Sequence, residues 1–160
     1  MKNKGFTLLE VIIYVGLFAI LMGGGVLAAY NLIASNNHNQ SMFLVYDEGN
    51  FLMSKINWVI SGTSAIQSPV PGTPSSNLLV TKIDGSTVGI SLSGNNLVIT
   101  YGNTAPIILN NNNVKISNVL FDNQISSTSQ LVKSSLTITT TTNDGKIFSQ
   151  NFNSTKYIRK

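Results

Sequence analysis

Residues 11–34 (VIIYVGLFAILMGGGVLAAYNLIA) carry no charge at all. Wound as an α-helix such a stretch is about 36 Å long, and a bilayer core is crossed by about 20 mostly apolar residues. Whatever else the chain does, it has to keep this segment out of water. Lys2 and Lys4 precede it, and the next formal charges are Asp47 and Glu48. The positive-inside rule then puts the N-terminus in the cytoplasm and everything after about residue 35 outside.

The remaining composition excludes several functions. Of 160 residues only 10% are charged, and the net charge of +4 is scattered. The basic residues form no patch interleaved with aromatics, so direct binding of nucleic acid is not indicated. With no cysteine there is no disulfide, thiolate metal site or cysteine nucleophile. A single His38 leaves no histidine cluster, and no nucleophile–base pair or phosphate loop is found, so the chain reads as a non-enzyme without metal or cofactor.

The helical signal continues beyond the apolar run. Met42, Val45, Tyr46, Gly49, Leu52, Met53, Ile56, Val59 and Ile60 keep the i, i+3, i+4 spacing of an amphipathic helix. Leu44, Phe51 and Trp58 recur every seven residues on nearly the opposite side, which suggests two packing partners or one enclosing domain. Past Ser61 the texture is β. Ser68-Pro-Val-Pro-Gly-Thr-Pro74 is a loop, and β-type runs follow at 78–83, 87–92, 97–101, 107–109, 114–121, 135–142 and 146–158. Asp84-Gly85-Ser86, Ser93-Gly94-Asn95-Asn96 and Asn143-Asp144-Gly145 punctuate them as hairpin turns. Asn110 to Asn113 reads as a plain loop. The expected fold is α+β: a long N-terminal helix, membrane-spanning in its first half and amphipathic in its second, packed on a C-terminal antiparallel sheet.

Glu10 is out of place at the head of the apolar run. A secretory signal, with Ala28-Ala29 as the small residues for cleavage, would not carry a carboxylate where its apolar core begins. A plain anchor would leave Glu10 among the lipid headgroups. An intramembrane carboxylate is a functional site that needs a partner. The order Lys4-Gly5-Phe6-Thr7-Leu8-Leu9-Glu10-Val11 closely resembles the type III signal of type IV pilins and of the pseudopilins of secretion and competence systems. The resemblance implies cleavage by prepilin peptidase between Gly5 and Phe6, methylation of the Phe6 amine, and a guiding role in assembly for Glu10. It divides the chain into a leader at 1–5, a transmembrane and filament-core helix at 6–34, an amphipathic continuation at 35–61 and an extracytoplasmic antiparallel β domain at 62–160.

The motif and apolar helix cover about a fifth of the chain. The closing strands, Val114 to Phe121, Leu136 to Thr140 and Phe152 to Arg159, look more loosely like minor pilins and pseudopilins. Two departures stand out. The late apolar segment has Gly23-Gly24-Gly25 where major pilins commonly carry a proline, and the cysteine pair that closes a C-terminal loop in many pilins is absent. The implied partners are prepilin peptidase, other pilin or pseudopilin subunits, an assembly platform with its ATPase, and the bilayer before assembly. The implied location is the cytoplasmic membrane, then an extracellular filament. The alternative is a single-pass anchor carrying an extracytoplasmic β binding domain that does not polymerise. Asp47 and Glu48 point about 100° apart and read as a solvated face, or as partners for Lys55 of another copy. Asp84, Asp122 and Asp144 sit at turns, where Asp bonds the local backbone.

Overall fold

The computed structural model describes residues 7–125, 129–142 and 145–158. Helix α1 runs Leu8–Ile60, and eight strands follow: β1 (Thr63–Ser68), β2 (Leu78–Lys82), β3 (Thr87–Ser93), β4 (Asn96–Tyr101), β5 (Ile107–Ile108), β6 (Lys115–Ile125), β7 (Gln130–Thr141) and β8 (Ile147–Ile158). The class is α+β. The chain divides into two compact units, Met1–Asn39 and Gln40–Lys160.

In the first unit the helix continues unbroken through Gly16 and Gly23 to Gly25, and a Cβ at any of these glycines would meet open space. Its apolar side chains are exposed from Leu8 to Ile33.

In the second unit, residues 40–60 bury one helix face. Val45, Leu52, Met53, Ile56, Val59 and Ile60 join a single core with the inward side chains of the strands. The 3.6-residue spacing of the sequence accounts for this face. Tyr46 departs from it: 41% exposed, it lies edge-on to Phe152 with ring centroids 6.0 Å apart. Phe51 and Trp58, on the other stripe, are 43% and 51% exposed. Gly49 sits beneath the Phe152 ring, so that a Cβ there would fall inside it.

The strands form two antiparallel sheets rather than one. β1–β5 are paired in sequence order, and β6–β8 form a separate three-stranded sheet. Strand β1, which lacks a strong β pattern in the sequence, pairs with β2 through two register irregularities. Hairpin signals are local and were legible; the break between β5 and β6 is not a hairpin, and its cause is tertiary.

That cause is the Asn110–Asn113 segment, which is more than a plain loop. Asn110 is 5% exposed. Its Oδ1 accepts the Leu97 amide at 2.8 Å, while Nδ2 donates to Asn96 Oδ1 and to the Asn111 carbonyl, both at 3.0 Å, and more distantly to the Val114 carbonyl. Glu48 of α1 accepts both the Asn111 amide and its Nδ2 at 2.9 Å. The reading of Glu48 as a solvated or intermolecular carboxylate is thereby corrected: it clamps the crossover from one sheet to the other. Asp47, one residue earlier, does remain exposed.

Ser134 is buried on β7, in register with Phe121 and Ser154, and its Oγ has no hydrogen-bond partner among the described residues. An unpaired buried hydroxyl costs about 1–3 kcal/mol. Ser134→Ala is expected to raise stability by about 1 kcal/mol, read from the midpoint of denaturant unfolding; a loss of stability would show that the hydroxyl is satisfied.

Candidate processing and assembly site

The residue order at the head of the helix produces a defined local structure. Thr7 precedes the first helical residue, and Glu10 stands three positions on. The Glu10 Oε2 accepts from the Thr7 amide and from the Thr7 hydroxyl, each at 3.2 Å, and the Glu10 amide donates to Thr7 Oγ1 at 3.3 Å. The Val11 amide donates to the Thr7 carbonyl at 3.2 Å and closes the first turn. This reciprocal pair is a capping box, which satisfies backbone donors that a helix start leaves without partners. A carboxylate in the first turn also faces the positive end of the helix dipole.

Thr7 is the residue that reasoning from the processing motif passed over. The signal was available, since Thr-x-x-Glu ahead of an apolar run is a capping signature. The remaining carboxylate oxygen of Glu10, Oε1, makes no bond among the described residues. Gly5 and Phe6, between which cleavage is expected, lie outside the described residues.

The other end of α1 is closed differently. Gly62 takes a left-handed conformation at φ +66°, the position at which helices commonly end. The Lys82 ammonium on β2 donates to the carbonyls of Trp58, Val59 and Ser61 at 2.9, 2.6 and 2.5 Å. Trp58 and Val59 lie in the last turn of α1 and Ser61 follows it directly, where a cation also faces the negative end of the dipole. Burial pushes the Lys82 ammonium below its ordinary range, with the charge of Asp84 opposing. The ammonium lies 4.8 Å from the Trp58 ring centroid, and Trp58 meets Tyr101 edge-on at 6.4 Å. All three donors of Lys82 are thus spent on the helix, which makes it structural. The Asp84 carboxyl is held below the usual range first by the Ser86 hydroxyl and then by the Ser86 amide. Asp122 accepts from Gln124 Nε2 at 2.6 Å, and Asp144 lies outside the described residues. Lys55 lies 5.5 Å from the ring centroid of Phe51 on its own helix.

The first unit therefore combines a capped helix start, a carboxylate with one oxygen to spare, and a helix long and apolar enough to cross a membrane. No curated protein and no solved structure matches the chain significantly. Residues 1–26 match the family model described as the prokaryotic N-terminal methylation motif. That match, running from the basic head into the apolar helix, supports a type IV pilin-like subunit processed by prepilin peptidase and anchored in the inner membrane.

Proposed function

We propose that the chain is a minor pilin or pseudopilin, stored in the cytoplasmic membrane by its helix and then drawn into a filament. The observation that carries this reading is the methylation motif at residues 1–26, continuous with a helix able to cross a membrane. Cleavage between Gly5 and Phe6 removes Lys2 and Lys4, taking the formal charge from +4 to +2, and leaves the apolar segment on the mature chain. It also creates a cationic amine four residues before Glu10. A carboxylate in hydrocarbon is costly without a partner. The capping box occupies Oε2 only, so Oε1 is left to accept the Phe6 amine of a neighbouring subunit. A misaligned neighbour leaves both charges unpaired, and the pair therefore sets axial register.

The test separates processing from assembly. Expressed with a prepilin peptidase and its assembly machinery, the chain is expected to begin at N-methyl-Phe6 by mass spectrometry and to enter filaments. Glu10→Gln keeps a residue that suits a capping box, so cleavage and insertion are expected to persist while incorporation falls at least tenfold. Normal incorporation of Glu10→Gln would sink the register role. A chain that keeps Met1 and stays in the membrane would support the alternative of an anchored β binding domain.

A further inference from the structure

Four strand edges bound the two sheets, and three of them are obstructed. β1 is broken by two register irregularities, and β5 is only Ile107–Ile108. β6 is covered by the 70–75 loop, through a two-way backbone bridge between Ser75 and Phe121 and a bond from the Gly72 amide to the Asn123 carbonyl. The β3–β4 turn covers its start, with the Asn95 carbonyl accepting from the Ile116 amide. β8 differs. It pairs with β7 from end to end, contains no proline, and no strand lies on its far side among the described residues. Long open edges are ordinarily blunted by charge, proline or bulges, because they template pairing with another chain. The single charged side chain on β8 is Lys156.

A cleft of about 550 Å³ runs along this edge. Its walls are residues 60–63, Ile83 and residues 155–158 of β8. Four consecutive strand residues line it, and none of their β7 partners does, which places it on the side of β8 that β7 leaves open. The opposite wall is the end of α1 and the start of β1. The apolar part of the lining comes from Ile60, Ile83, Tyr157 and Ile158; Ile83 is 79% exposed. Lys156 is the only charged side chain on the walls among the described residues.

We infer that this cleft is a strand-addition site for an extended segment of a partner polypeptide, which pairs with the edge of β8 at residues 155–158. A wall of consecutive strand backbone suits a peptide in β conformation, whose main-chain bonds give affinity while alternate side chains enter pockets. The lining specifies the segment: apolar side chains at alternate positions facing Ile60 and Ile83, and a carboxylate near Lys156. A second copy of the chain is a poorer donor: its β1, β5 and β6 edges are obstructed in the same way, and antiparallel pairing of its own β8 with residues 155–158 would bring two Lys156 ammoniums together.

The probe is a set of heptapeptides alternating valine and threonine, with none, one or two threonines replaced by aspartate, added to the full chain in detergent micelles. Binding is read by fluorescence anisotropy and by amide hydrogen exchange. The aspartate-bearing peptides are expected to bind with protection concentrated at residues 155–158. Affinity is expected to fall about tenfold with Ile83→Asp, whose exposed position leaves the core untouched, and with Lys156→Glu. N-methylation of alternate peptide amides on the pairing side is expected to abolish binding. The proposal is overturned if no peptide binds more tightly than roughly millimolar, or if N-methylated peptides bind equally well. Protection arising at another edge, or a peptide-independent dimer crosslinked through β8, overturns it too. None of these readouts depends on cleavage at Gly5 or on filament assembly, so the inference stands or falls separately from the pilin reading.

Discussion

Asn110→Ala is expected to destabilise the second unit by about 3 kcal/mol, because it leaves several buried backbone groups without partners at once. The Leu97 amide loses its acceptor at 2.8 Å, and the Asn111 carbonyl loses a donor at 3.0 Å. Leu97 is fully buried, so water does not replace the lost bond. Asn110→Asp is expected to be at least as damaging. It keeps an acceptor for Leu97 but sets lone pairs against Asn96 Oδ1 and the Asn111 carbonyl, where the amide had donated. Thermal and denaturant unfolding of the full chain in detergent measure both. A loss below about 0.5 kcal/mol, the range of ordinary surface substitutions, would mean that the crossover between the sheets does not depend on this side chain.

Gly49→Ala is expected to cost about 2 kcal/mol despite improving helix propensity. Alanine is favoured over glycine in a helix interior by about 1 kcal/mol. Against this, the new Cβ would overlap the Phe152 ring, and overpacking of a filled site costs about 1–3 kcal/mol and occasionally more. The ring has little room to yield, since Tyr46 stands edge-on beside it and Leu136 lies opposite Phe152 on β7. A double-mutant cycle isolates the collision. In a Phe152→Ala background the overlap is gone, and Gly49→Ala is expected to become neutral or mildly stabilising. Equal losses in both backgrounds would show that the glycine is needed for some reason other than the ring.

These two residues also mark the limit of sequence reasoning. Gly49 lies on the apolar stripe, and its placement on the buried face follows from periodicity. That it is there to admit Phe152, a hundred residues later, depends on the register of β8 over the helix. The Asn110–Asn113 run illustrates the opposite failure. Four consecutive asparagines look like a loop, and nothing in their spacing reveals that one is buried as a junction or that Glu48 reaches across to the next. β1 was missed because Thr63–Ser68 has only Ala65 and Ile66 as apolar residues and acquires its strand character by pairing with β2.

By itself the sequence determined what is local or periodic. The charge-free run gives a helix able to cross a membrane, because an isolated backbone in lipid must satisfy its own hydrogen bonds. Thr7 and Glu10 give the cap, and the 3.6-residue stripe gives the buried face of residues 40–60. The glycine-bearing hairpin turns give strands paired in sequence order. Tertiary structure alone decided that the strands split into two sheets, that Glu48 holds the crossover, that Lys82 closes the helix end, and that β8 keeps an open edge along a cleft. Each of those joins groups far apart in the chain. Their contacts depend on strand register and helix placement, which no short stretch of residues encodes.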